Sequence, residues 1–358
     1  MRVCILGINL TSLTLAKALV KQKIYVDLYH QNKPYIINKT RTLGISKSNI
    51  DYFNKNIINI EKIIWKVNRI EILTDNLEKE KLLNFDNNSN YLFSIVKNDK
   101  LLEILDKNLI NNKYFKKKNL KIEKKFFENY NLVINTDYNN SITKKYFSKK
   151  IIKKYNSKAH TTIINHEKIL NNIATQIFTK NGPLAFLPIS NDATSVVYSV
   201  KNKLNQKTEN IKDLINIYNP KYKINKIDQI NSFDLYSLNL RSYYNGNILA
   251  FGDLLHKLHP FAGQGFNMTI RDVENLIRII NEKIDLGLPL DKSVNYEFEK
   301  ITKNKNFIFS NSIGFINEFF EIERKTKNTF LSKSVQILGK NSILNKMFIK
   351  IADKGLNF

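Results

Sequence analysis

A single cysteine, Cys4, in 358 residues leaves nothing to form an internal disulfide or a cysteine-based zinc site, which fits a reducing compartment. Long apolar runs are missing as well. The run from Val3 to Ile8 is too short for the core of a secretory signal. No stretch approaches the ~18 uninterrupted apolar residues that a membrane span needs. Acidic residues are scarce, 32 against 57 Lys and Arg, for a net charge of +25. Such a field favours anionic partners: nucleic acid, acidic lipid headgroups or phosphorylated ligands. The lysines are nevertheless dispersed, as at Lys116–Lys118, Lys124–Lys125, Lys144–Lys145 and Lys149–Lys150, the pattern of a compositional bias spread over solvated faces. Short nucleic-acid motifs are absent. So are internal repeats and low-complexity linkers. With 42% hydrophobic residues the chain can bury a sizeable core, in about two domains.

What is present begins as a βαβ unit. "VCIL" (3–6) reads as a buried strand, Leu10, Leu13, Ala16, Leu19 and Val20 recur at helical spacing, and "IYVDLY" (24–29) returns as a second strand. A parallel return needs a crossover, so the unit implies an α/β sheet. Further along, "IIWKV" (63–67) reads as a strand, 98–110 as a helix and "NLVINTD" (131–137) as a buried strand ending at Asp137. "GPLAFLPIS" (182–190) and "SVVYSV" (195–200) read as antiparallel strands, and 201–230 as a polar stretch with an exposed helix. "NILAFGD" (247–253) is one more buried strand, followed by a helix from about 265 to 283 and a helical C-terminal third. The two kinds of signal interleave, so the second domain is expected as an insertion into the first.

The sharpest segment is "GDLLHKLHPFAGQGFNMTIRDVENL" (252–276). A strand delivers Gly252 and Asp253 at its carboxyl end, where ligands bind in open α/β sheets. A loop with Pro260, Gly263 and Gly265 lets backbone approach a ligand closely. The helix behind it buries Met268, Val273, Leu276, Ile277 and Ile280, so its free N-terminal amides point back into the loop and favour negative charge.

This run resembles the GD motif of the p-hydroxybenzoate hydroxylase-type flavin monooxygenases. More narrowly it resembles the ubiquinone-biosynthesis hydroxylases, whose form is G-D-A-A-H-x-x-H-P-x-A-G-Q-G-x-N-x-G-x-R-D. "NHEKILNNIATQIFTKNGPLAFLPIS" (165–190), "TRTLGIS" (40–46) and "NSILNKMFIKIADKG" near the end are similar to other segments of that family. The resemblance implies a doubly wound FAD-binding domain with an inserted, mostly antiparallel substrate sheet and a helical C-terminus. It places the FAD domain in 1–65, 130–150 and 235–358, and the substrate domain in 66–129 and 151–234. It implies FAD contacts at Gly7, Asn9, Ser12, His30, Arg41, Asp137, Gly252, Asp253, Pro260, Ala262, Gly263, Gln264, Gly265 and Asn267. The reaction it implies is hydroxylation of the ring of a polyprenylated ubiquinone precursor through a flavin C4a-hydroperoxide, with O2 and NAD(P)H or another electron donor as co-substrates. No catalytic side chain is assigned, since the flavin performs the chemistry.

The departures from the family pattern gather at the nucleotide end. Against G-x-G-x-x-G, "GINLTS" (7–12) keeps Gly7 but has Asn9 and Ser12 at the other two glycines, and His30 stands where the ribose-binding acid belongs. "DYNNS" (137–141) carries Tyr138 in place of the glycine of D-G-x-x-S.

His256 and His259 stand three apart without partners arranged as ligands, so no metal is expected, and His166 is read as structural with a substrate-pocket role as the alternative. Phe309, Ile313, Phe315, Ile316, Phe319 and Phe320 make an apolar face on one helix. Ile343, Leu344, Met347, Phe348 and Ile351 make another, with Lys346, Lys350 and Lys354 on the opposite face, a pattern suited to an anionic membrane surface. The expected setting is cytoplasmic, peripheral on the inner face of the membrane, with a lipophilic substrate, no nucleic acid, and other ubiquinone-biosynthesis proteins as partners. The competing reading is a non-catalytic accessory or lipid-binding subunit.

Overall fold

The computed structural model describes residues 1–30, 39–77, 80–86, 91–119, 126–201, 208–259, 263–326 and 329–356. Pro260 and Ala262, both expected at the cofactor, lie outside the described residues. The chain opens with β1 (Arg2–Leu6), α1 (Leu10–Lys21) and β2 (Tyr25–His30). Next come β3 (Thr42–Ser46), α2 (Lys47–Asn56), β4 (Ile64–Val67), β5 (Arg69–Thr74), β6 (Lys81–Asp86) and β7 (Phe93–Lys97). The chain continues through α3 (Asn98–Ile110), β8 (Phe115–Asn119), β9 (Leu132–Asn135) and α4 (Ser141–Tyr146). A long strand, β10 (Lys150–His166), leads into β11 (Ile173–Thr179), β12 (Gly182–Pro188) and β13 (Ala193–Lys201). After α5 (Thr208–Ile217) come β14 (Ile224–Ile227), β15 (Asn231–Leu240), β16 (Tyr244–Asn245), β17 (Ile248–Ala250) and β18 (His256–Lys257). The helices α6 (Gly265–Asp285), α7 (Lys292–Thr326), α8 (Thr329–Lys340) and α9 (Ser342–Lys354) finish it.

Three sheets organise these elements. The first runs β16-β17-β9-β1-β2-β8 and is parallel except for its β16 edge. Its strands are apolar on both faces because helices cover both, so Val3, Cys4, Ile5, Leu6, Leu132, Val133 and Ile134 are all fully buried. The second runs β18-β15-β10-β13-β12-β11-β5-β6, with β14 on β10, and is antiparallel except where β11 meets β5. The third, β3-β7-β4, bridges them.

Strand pairing joins segments that are distant in sequence. β8 pairs with β2, and α3 packs on α1, so 98–119 lies against the parallel sheet. β15 pairs with β10 along most of its length, so the antiparallel sheet runs on to Leu240. Local patterning cannot show either point, because strand partners are chosen in three dimensions.

Among the C-terminal helices, α7 buries Phe309, Ile313 and Phe320, the last stacked on Phe178 at 3.6 Å, and leaves Phe315 and Ile316 exposed. The apolar face read from its sequence is therefore partly core. On α9, Ile343, Met347 and Phe348 are exposed, and so are Lys346, Lys350 and Lys354. At ~100° per residue those lysines flank the apolar stripe rather than oppose it.

Candidate cofactor site

The carboxyl ends of β1, β2, β9 and β17 face one continuous cavity of about 930 Å³ that runs on beneath the antiparallel sheet. Gly7, Asn9, His30, Arg41, Asp137, Asp253, Gly263, Gln264, Gly265 and Asn267 all line it. Residues spread over some 260 positions of sequence are thus brought to one wall. Ser12 and Gly252 stand behind that wall. Ser12 is fully buried in the cap of α1, and a Cβ on Gly252 would meet Thr11 Cγ2 at 2.5 Å. Gly252 adopts φ +67 and so lets the turn carrying Asp253 rest directly on the first turn of α1.

One end of the cavity is built by the loop before α6. Gly263, at φ +60, faces the Gly44 backbone, so that an added Cβ would lie 3.9 Å from Gly44 Cα. The Gln264 side-chain carbonyl is buried yet has no hydrogen-bond partner among the described residues. Open space lies beside Gly265, the first residue of α6. First-turn amides of a long helix, an unpartnered buried carbonyl and the Asp253 carboxylate on the cavity wall form a polar rim for a flat heteroaromatic ring with both donors and acceptors.

Asn267 lines the cavity and also staples its wall. Its Oδ1 accepts from the Ser46 amide and from Asn49 Nδ2, both at 2.9 Å. Its Nδ2 donates to the Gly44 carbonyl at 3.0 Å and the Gly263 carbonyl at 3.3 Å. Every polar atom of this buried amide is committed to holding β3, α2 and the 263–265 loop together. Gly44 is the residue that sequence reasoning passed over. A glycine inside a short strand is the available signal for close backbone approach.

The histidines resolve into separate roles. His256 is fully buried and its Nε2 sits 2.5 Å from Asp272 Oδ2, while Asp272 Oδ1 accepts from Asn306. This pair ties β18 to α6 and so braces both ends of the Asp253 loop. His259 lines the cavity and meets the Tyr155 ring edge-on at 4.8 Å. His166 is buried against Tyr222 and bonded to Thr194 Oγ1 and the Glu167 carbonyl, away from the cavity, as a structural role requires. Among the described residues no cluster of metal-ligating side chains occurs.

The rest of the cavity is largely apolar. Ile70, Ile72, Phe85, Leu187, Val197 and Phe233 wall it, with Phe348 and Ile349 of α9 at its margin. Thr161, Thr175, Gln176, Ser199, Asp234, Tyr236 and Lys257 are among the polar groups interspersed with them.

Comparison with known proteins places this architecture. Residues 123–285 match the family model described as FAD binding domain. The structure superposes on p-nitrophenol 4-monooxygenase PnpA from Pseudomonas putida DLL-E4 with a TM-score of 0.80, covering 98% of each chain at 12% identity. It superposes on HpxO from Klebsiella pneumoniae, complexed with FAD and uric acid, with a TM-score of 0.76, covering 99% of this chain and 97% of that one at 12% identity. The fold is that of the FAD-dependent monooxygenases.

In sequence the chain is similar to the ubiquinone-biosynthesis members of that class. It is 23% identical over 215 residues to ubiquinone biosynthesis monooxygenase COQ6 of Caenorhabditis elegans, covering 47% of this chain and 48% of that protein. It is 29% identical over 112 residues to 3-demethoxyubiquinol 3-hydroxylase of Escherichia coli K12, covering 29% of this chain and 28% of that protein. The chain thus spans less than half the length of these curated relatives.

Proposed function

We propose that the chain is an FAD-dependent monooxygenase that hydroxylates the aromatic ring of a polyprenylated ubiquinone precursor. The observation that carries this reading is the continuity of one cavity. Its polar rim, formed by Asp253, Gly263, Gln264 and the start of α6, suits an isoalloxazine, and it opens without a partition into an apolar chamber under the antiparallel sheet. When bound, the reduced flavin would supply O2 activation, one oxygen atom entering the ring and the other leaving as water, with electrons from NAD(P)H or another donor.

The residues of the chain do the rest. Asp253 would help hold the cofactor by accepting hydrogen bonds from the hydroxyls of its ribityl chain. The α6 amides would stabilise negative charge on the bound ring. The apolar walls exclude water, which would otherwise compete for the activated oxygen. Thr175, Gln176 and Ser199 are placed to read the oxygen substituents of a phenol, and Ile70, Ile72, Phe85 and Phe348 offer an apolar path for a prenyl tail. Contact with an anionic membrane through α9 would suit the same substrate. Exposed Ile343, Met347 and Phe348 beside Lys346, Lys350 and Lys354 give that helix a surface-seeking face next to the cavity margin. No helix of the described residues is long and apolar enough to cross a membrane.

The test is direct. The purified chain should be yellow, or should take up added FAD and absorb near ~450 nm, and with a reductant should add one oxygen atom to a prenylated phenol. A protein that takes up no flavin favours the second reading, a non-catalytic lipid-binding subunit, which the altered nucleotide turn supports.

A further inference from the structure

We infer that, given the flavin reading above, this chain holds its cofactor by the isoalloxazine end and accepts FMN almost as well as FAD. The reason lies in Asn9. In a G-x-G-x-x-G turn the second glycine leaves room for the pyrophosphate, and the helix amides behind it point at the phosphates. Here the turn has been closed on itself. Asn9 caps α1: its Oδ1 accepts from the Ser12 amide at 2.9 Å, and Ser12 Oγ accepts from the Asn9 amide at 2.9 Å. Two backbone donors that would face a phosphate are therefore already engaged. The side-chain amide is engaged too, donating to Thr136 Oγ1 at 3.0 Å and to the Thr136 carbonyl at 3.2 Å.

The one glycine that remains is explained without a nucleotide. Gly7 adopts φ +97, and a Cβ there would lie 2.9 Å from Thr136 Oγ1 and 3.0 Å from Asp137 Cβ. It is required by the close approach of the segment after β9. Asn9 Oδ1 adds an acceptor where phosphate oxygens, also acceptors, would have to come. The ribose position is held by His30, whose ring lacks the two carboxylate oxygens that would pair with two hydroxyls. The ring end shows the opposite condition, with Gln264 Oε1 unpartnered and space open beside Gly265. One end of the cavity is short of partners, while at the other Asn9 and Ser12 have spent their side chains and two backbone amides on each other and on Thr136.

The experiment titrates the full chain with FAD and with FMN, following flavin fluorescence and absorbance. The dissociation constants should agree within about tenfold. Asn9→Gly, which frees the Ser12 amide and clears the side chain from the turn, should raise the FAD preference by about tenfold or more. Asn9→Ser, which still caps α1, should not, and it guards against a loss of folding in the glycine variant. FAD binding more than about tenfold tighter than FMN in the unaltered chain would overturn the inference while leaving the flavin reading intact. Failure to bind either flavin would overturn both.

Discussion

Replacing Asn267 with Ala removes four hydrogen bonds from the hinge between β3, α2 and the Gly263 loop. At ~1 kcal/mol each the loss would be about 4 kcal/mol, and it includes stranding the buried Ser46 amide and Gly44 carbonyl. Two corrections reduce it. The bond to the Gly263 carbonyl is long at 3.3 Å, and Asn49 Nδ2 keeps a second partner in Ser46 Oγ at 2.9 Å. About 3 kcal/mol remains. For 358 residues the unfolding entropy is ~0.75 kcal/mol per kelvin, so the melting temperature should fall by about 4 °C. The same change releases Gly263 from Gly44, so flavin affinity should fall as well, by about tenfold or more. Differential scanning fluorimetry with and without flavin, together with a flavin titration, measures both effects. A variant that melts within about one degree of the parent and binds flavin equally well would refute the assignment of Asn267 as the staple of the ring site.

Other perturbations probe separate parts of the same reasoning. Asp253→Ala should abolish flavin retention through gel filtration while leaving circular dichroism unchanged, because the carboxylate has no hydrogen-bond partner among the described residues to lose. Gly252→Ala forces a side chain into the left-handed region and against Thr11, and should cost about 2–4 kcal/mol in urea denaturation. Burial, with Asp27 nearby, pushes the Cys4 thiol well above its usual range, so native protein at pH 8 should resist alkylation that proceeds readily once urea unfolds it. Lys346, Lys350 and Lys354 changed together to Glu should release the chain from anionic vesicles without changing flavin binding, and retained vesicle binding would remove α9 as the contact.

Much of this protein could be read along the chain. The βαβ opening, the 98–110 helix, the antiparallel pair at 182–200 and the Gly–Asp turn before a long helix are local patterns. Apolar periodicity and glycine placement report them directly. The candidate contacts from Gly7 to Gly265 also came from local motifs, and most of them line one cavity. Some roles were not legible, because they depend on partners distant in sequence. Asn267 reads like a ligand contact but spends its amide on Gly44, Ser46 and Asn49, more than 200 positions away. Asn9 reads like damage to a phosphate loop, yet in the fold it is the cap of α1 and its tie to Thr136. Strand β8 pairs with β2, a partner some 90 positions earlier that no local pattern names. Sequence by itself determines which segments are helix, strand or close-approach turn, since those follow from each residue's own backbone freedom and hydrophobic spacing. Only the tertiary structure decides which buried polar atoms are spent on the protein and which are left for a ligand, since a hydrogen bond has a single geometry and its partners meet only when the chain is folded.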